Sequence, residues 1–214
     1  MYVPAHFEET RSEVLQGLMR DYPFATLVTS STDGIVADHI PMEYDPQPAP
    51  FGSLLGHVAR ANPLWRKYTE APQAGEALAI FQGPQAYVSP AWYPSKRQHG
   101  KVVPTWNYAV VQVRGSLRIV EEPQRLRAIV ERLTHRHEAG RPNPWQVADA
   151  PSDYLEQMLK AIVGIEMTIT KIVGKWKTSQ NRSTDDRAGV ISGLTVQGDA
   201  NACAMAALVK ETLS

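Results

Sequence analysis

Residues 164–173 place Ile165, Met167 and Ile169 at every second position, a period of two that a strand gathers into one apolar face and a helix would scatter. Comparable strand-forming runs, rich in β-branched and aromatic residues, cover 25–31, 35–44, 53–59, 77–82, 86–93 and 102–120, the last with Gly115 as a bulge or turn inside it. Thr32-Asp33-Gly34 between the first two suits a hairpin turn that needs positive φ. Asp45-Pro46-Gln47-Pro48-Ala49-Pro50 cannot donate at its prolines and predicts an exposed connector. Helical patterns are fewer. Residues 8–20 bring Val14, Leu15, Leu18 and Met19 to one face, with Pro23 as the stop. Asn62-Pro63 is a helix start for 64–68, and Glu121-Glu122-Pro123 opens a helix to about 138, stopped by Gly140. Further helices are predicted over 152–160 and over 199–212, the latter capped by Asp199. Strands without a strict strand–helix alternation predict a mainly β, antiparallel architecture with peripheral helices, a barrel or α+β fold. A single domain over 1–214 with a helical tail from about residue 186 is expected, since no composition break or repeat divides the chain.

Lys and Arg number 22 and so do Asp and Glu, so no long-range field draws in DNA or an anionic membrane and any anion site must be local. There is no run of about 18 apolar residues for a membrane helix, and Met1-Tyr2-Val3-Pro4 has no signal-peptide pattern, which predicts a cytoplasmic protein. Cys203 is the sole cysteine, which excludes an internal disulfide and a cysteine-based zinc cage; it is expected to pack within an apolar helix.

Four polar segments exceed what a β scaffold needs: Asp38-His39-Ile40-Pro41; 56–65; 83–94 with its continuation Val103-Pro104-Thr105-Trp106-Asn107-Tyr108; and 174–182. In Arg60-Ala61-Asn62-Pro63 a guanidinium stands next to the amides of a helix start, a combination suited to a dianionic phosphate. The segment 174–182 packs lysines, an arginine and amide or hydroxyl side chains at a density suited to a polar ring or a ribityl chain, although an exposed turn explains it equally well. Alone, His39 and His57 read as structural histidines, and Tyr87, Trp92 and Trp106 as packing residues. Neither a triphosphate-binding loop nor a Gly-x-Gly-x-x-Gly nor a Gly-x-Ser-x-Gly motif occurs. His135 and His137 point about 200° apart on a helix and cannot easily share a metal. Arg125, Arg127, Arg132 and Arg136, diluted by Glu131 and Glu138, read as a solvated face rather than a nucleic-acid surface.

Met1-Tyr2-Val3-Pro4, His57-Val58-Ala59-Arg60-Ala61-Asn62-Pro63, Tyr87-Val88-Ser89-Pro90, 103–108 and Lys175-Trp176-Lys177-Thr178-Ser179-Gln180-Asn181-Arg182 together resemble, in order and spacing, the PaiB-like family of negative transcriptional regulators. The resemblance implies an FMN-binding split barrel, similar in fold to pyridoxamine-phosphate oxidase, that forms a homodimer with flavin mononucleotide (FMN) at the subunit interface. It implies phosphate and ribityl contacts from His57, Arg60, Ala61 and Asn62, and a ring edge lined by His39, Ile40 and Pro41. Lys175, Lys177, Ser179, Gln180 and Asn181 would close the site, with Trp106 and Asn107 as further candidates. The family label is repression of sporulation and extracellular-protease genes, yet no DNA-reading helix, basic arm or zinc finger is visible. A DNA or protein partner therefore rests on the label. Three functions follow in order: a flavin-binding regulator, a flavin-dependent oxidoreductase acting on a small molecule, and a haem-binding split barrel. No catalytic acid–base pair and no metal site stand out.

Overall fold

The structure is a computed structural model that describes residues 1–31, 34–70 and 76–213. Eight strands, β1 (Glu8–Glu9), β2 (Phe24–Ser31), β3 (Gly34–Pro41), β4 (Glu43–Asp45), β5 (Ser53–Ala59), β6 (Glu76–Val88), β7 (Thr105–Val120) and β8 (Ile162–Lys177), pair in the order β3-β2-β6-β7-β8-β5-β4, with β1 on β8. Every pairing with a defined register is antiparallel. Seven α-helices accompany them: α1 (Ser12–Asp21), α2 (Leu64–Glu70), α3 (Ser95–His99), α4 (Pro123–Glu138), α5 (Ser152–Lys160), α6 (Thr184–Gln197) and α7 (Ala200–Glu211). This is the mainly β, antiparallel class that the alternation predicts.

The contacts gather into two compact units, each assembled from separated stretches of chain, and β6, β7 and β8 contribute residues to both. The first comprises Met1–Leu18, Gln82–Val111 and Val173–Ser214. Its core joins Val88 and Tyr93 to Val190 and Leu194 of α6 and Met205 and Val209 of α7. Trp92 packs against this core, and a Cβ on Gly193 would come within 2.2 Å of its indole, so the glycine is a slot for that ring. The second unit comprises Met19–Phe81 and Gln112–Ile172. There Ile129 and Leu133 of α4 pack on Leu55 and Val120. Gly115 makes no turn, since β7 runs unbroken through it, and it lets β7 approach β8, since a Cβ would lie 2.1 Å from the Thr168 carbonyl oxygen.

Several boundaries differ from the sequence reading for local reasons. The expected helix over 8–20 begins later, because Glu8 and Glu9 pair with Lys175 and Gly174 as β1. The strands expected over 77–82 and 86–93 are one strand that ends at Val88, where Ser89 caps a short 3-10 turn, Pro90–Trp92. β8 runs on to Lys177 and so takes both lysines into the sheet. The helical tail expected from about residue 186 is two helices, of which α6 starts at Thr184 and carries Gly189 and Gly193 in its interior despite their low propensity. Cys203 is free and exposed rather than packed, because α7 turns it away from Ala202 and Met205. The predicted Asp-Gly turn lies outside the described residues apart from Gly34, which has a φ of 118°.

Candidate functional site

In the first unit, the end of β8 and the turn after it form a polar cluster around Lys177. The turn closes on itself: Gln180 Oε1 accepts from the Thr178 N–H at 2.7 Å, and Gln180 Nε2 donates to the Trp176 carbonyl. Ser179 sits at φ 65°, a left-handed conformation uncommon outside glycine, and its Oγ accepts from Asn107 Nδ2 at 2.8 Å. Asn107 is 1% exposed and its Oδ1 has no partner. Lys175 is buried, donates from Nζ to the Tyr2 carbonyl at 3.1 Å and lies 5.3 Å from the centre of the Tyr108 ring. Lys177 Nζ donates to Thr105 Oγ1. Burial pushes the Lys177 ammonium below its ordinary value, and repulsion from Lys175 and Arg182 adds to this while Tyr108 opposes it. The charged groups bearing on Lys177 are thus cations, an arrangement that an anion or a ring of carbonyl acceptors would relieve. Asn181 is exposed, and so is Trp106, whose ring meets Tyr87 edge-on at 6.2 Å.

In the second unit, the segment after β5 is arranged differently. Arg60 Nε donates to the Lys160 carbonyl at 2.8 Å, Nη1 pairs with Glu121 Oε1 at 2.8 Å, and Nη2 donates to the Ile162 carbonyl at 3.2 Å. Its guanidinium also lies 5.5 Å from the centre of the Trp65 ring, and Trp65 Nε1 donates back to the Arg60 carbonyl. Asn62 uses both ends of its amide: Nδ2 donates to Asp38 Oδ1 at 2.7 Å and Oδ1 accepts from the Leu64 N–H at 2.8 Å, capping α2. Ala61 is exposed. A phosphate here would meet a guanidinium already neutralised by Glu121 and a helix start already capped.

His57 belongs to a third arrangement. With Pro41 it lines a cleft of about 350 Å³ completed by Leu133, Thr134 and His137 of α4 and by Trp145. Burial lowers the His57 pKa, so the imidazole is neutral at pH 7, and its Nδ1 is buried without a partner. Ile40 is buried away from this cleft, and His39 is exposed on β3, 6.1 Å from the Phe24 ring. The structure therefore brings together Lys175, Lys177, Ser179, Gln180, Asn181 and Asn107 on one turn and its neighbours, and Pro41 with His57 in a cleft. It gives Arg60 and Asn62 to the packing of the β5 end. Sequence reasoning included Thr105 and Tyr108 in the segment 103–108 without giving them a role, and missed Glu121 and Trp145, whose partners stand far away in the chain.

The arginines of α4 all have partners inside the protein: Arg125 pairs with Glu166, Arg127 with Glu131, Arg132 with Glu43 and Asp45, and Arg136 donates to the Arg20 carbonyl. Among the described residues no group of three potential metal ligands comes together, and no helix is long and apolar enough to cross a membrane.

Residues 1–171 match the family model described as "Putative FMN-binding domain". The chain belongs to this FMN-binding family. FMN is its cofactor class, as the resemblance implies. The protease synthase and sporulation protein PAI 2 of Bacillus subtilis is 33% identical over 216 residues, covering 100% of this chain and 98% of that one. An uncharacterized protein of Emericella nidulans is 38% identical over 244 residues, covering 99% and 97%. Among solved structures, the FAD- and haem-binding protein of Mycobacterium smegmatis has a TM-score of 0.60 at 18% identity, covering 85% of this chain and 78% of that one. The flavocytochrome Anf3 of Azotobacter vinelandii gives 0.60 at 12% identity, covering 87% and 78%. These two likenesses carry the fold.

The residues present fit the cofactor at the Lys177 turn. FMN offers phosphate, carbonyl and ribityl oxygens, and the half-buried Lys177 and exposed Asn181 offer donors, while Ser179 and the unpaired Asn107 Oδ1 are themselves buried. Arg60 and Asn62, in the arrangement observed, already have partners within the chain.

Proposed function

We propose that the protein is an FMN-binding homodimer that acts as a regulator of the PaiB type, with Lys177 and its neighbours holding the anionic or carbonyl-rich part of the flavin. The observation that supports this most is the Lys177 ammonium, partly buried and bordered by Lys175 and Arg182. Bound FMN supplies the redox chemistry. The chain's own contribution is to place donors: Lys177 presents its remaining N–H groups, Asn107 steadies the Ser179 hydroxyl, and Gln180 keeps the turn closed.

Association of two copies is supported by the outer face of β2, β3 and β6. Register puts Phe24, Thr26 and Val28, Ile35, Ala37 and His39, and Leu78 and Ile80 on one side. Phe24 is 63% exposed and Ile35 79%, and no Asp, Glu, Lys or Arg occupies these positions. A largely apolar sheet face, with Glu76 at its end on β6, suits an isologous contact, which must be complementary to itself. The regulatory role draws on the full-length similarity to the Bacillus subtilis sporulation protein. In that role the flavin would sit at the subunit interface and the partner would be DNA or another protein.

The test is the absorption spectrum of natively purified protein, followed by titration of the flavin-free dimer with FMN. Oxidised-flavin bands, saturation at one FMN per chain and negligible NADH or NADPH turnover are expected. A haem spectrum, or rapid nicotinamide-dependent turnover of a small molecule, would replace this reading.

A further inference from the structure

The cleft between β5 and α4 is built rather than incidental. Its outer wall, Trp145, is 47% exposed, and its backbone N–H donates to Glu138 Oε2 at 3.1 Å. The next turn is fixed by the Gln146 N–H, which donates to Asp149 Oδ2 at 2.8 Å, and by the buried side chain of Val147. A second opening of about 430 Å³ shares Thr134, Glu138 and Trp145 with the first, so the indole has space on more than one side. Within the described residues the indole N–H makes no hydrogen bond.

His57 gives the cleft its chemistry. Its Nδ1 is sealed from solvent with no acceptor in reach, and a buried N–H without a partner is rarer than a bare lone pair. We therefore assign the proton to Nε2, the nitrogen left open. The lining, which also includes His137 and Glu138, offers a neutral N–H donor, a threonine hydroxyl, an apolar floor of Leu133 and Pro41 and an indole wall, and these define a complementary ligand.

We propose that this cleft is a second small-molecule site, taking a planar aromatic compound that carries a carbonyl acceptor, with the ring against Trp145 and the carbonyl on His57 Nε2–H. This goes beyond the flavin reading and involves none of the groups around Lys177. No carboxylate or cation is required of the ligand: Glu138 is already paired with Arg141 and bonded to the Trp145 N–H.

The probe is 2-naphthamide, with 2-ethylnaphthalene as the matched hydrocarbon, titrated by calorimetry into FMN-free and FMN-loaded protein. Saturable binding of naphthamide, equal in both forms, is expected. Trp145→Ala, at an exposed position that folding tolerates, should weaken both compounds. His57→Phe, which keeps a ring in the cavity, should weaken naphthamide by about 2- to 12-fold, the worth of one neutral hydrogen bond, and leave the hydrocarbon unchanged. The proposal is overturned if naphthamide does not saturate, or if Trp145→Ala binds it as wild type does. Loss of naphthamide on FMN loading would equally overturn it, by making the cleft part of the cofactor site. Failure to take up FMN bears on the cofactor reading alone, and the FMN-free titration then decides.

Discussion

The segments that follow β5 and β8 both gather a cation, an amide and a tight bend, yet the cation of the first meets a carboxylate and that of the second meets other cations. Arg60 donates to two carbonyls and to Glu121, while Asn62 is held between Asp38 and the start of α2. Arg60 and Asn62 are thus partnered without a ligand, although Asp38 Oδ2 and the Lys67 Nζ of α2 nearby in the chain are buried with no hydrogen-bond partner. Around Lys177 the turn is equally well made, through Gln180 and Ser179, but the ammonium at its edge is disfavoured first by burial and then by Lys175 and Arg182, with Tyr108 opposing them. Polar residues at comparable density can therefore be packing in one place and a binding edge in another, and the difference lies in where the opposite charge comes from.

The largest effect that sharpens this contrast is on cofactor affinity. Lys177→Ala should weaken FMN by about 10- to 150-fold, since a hydrogen bond from a charged donor is worth roughly 1.5–3 kcal/mol, and fluorescence titration reads it directly. An unchanged dissociation constant would dissolve the distinction between the two segments. Next comes Asn107→Ala, which leaves Ser179 without its buried donor. It should cost about 1–3 kcal/mol in urea unfolding, because a buried polar atom loses its partner. Arg60→Ala should cost less, about 1 kcal/mol or below given its half-exposed ion pair, and should leave FMN affinity as in wild type. A variant that keeps its stability and loses FMN would return Arg60 to the cofactor.

The smallest effect is a pH slope. Burial holds the His57 pKa below its ordinary 6.5, so the unfolded chain binds more protons as pH falls through that value. Its contribution to stability is therefore full above 6.5, falls as pH drops toward the depressed value, and is level below that. His57→Gln should flatten that part of the profile, measured as urea midpoints from about pH 7.5 to about pH 5. Parallel profiles for the two proteins would show that His57 is not buried as described.

Legibility in the sequence followed the range of the interaction. Alternation in 164–173 and the β-branched runs predicted the antiparallel sheet, because side-chain period is a local property of a strand. Asp199 as the cap of α7 and Pro123 opening α4 were equally local. α6 falls within the helical tail expected from about residue 186, but the role of Gly189 and Gly193 escaped because they answer to Trp92, far away in the chain. The exposure of Cys203 escaped for a related reason, since the partners of α7 decide which of its faces is covered.

For the site, residue types and their spacing picked out the polar segments worth weighing, and the motifs among them carried the resemblance that implied the family and the cofactor class. Residue types also set the neutral overall charge, which leaves any anion site to local geometry. Tertiary structure alone decided which polar atoms remain available. Glu121 reaches Arg60 across 61 positions, Asp38 reaches Asn62 across 24, and Asn107 reaches Ser179 across 72. The hydrogen-bonding capacity of a side chain belongs to its residue type, but whether that capacity is already satisfied depends on neighbours that only the folded chain brings within 3 Å.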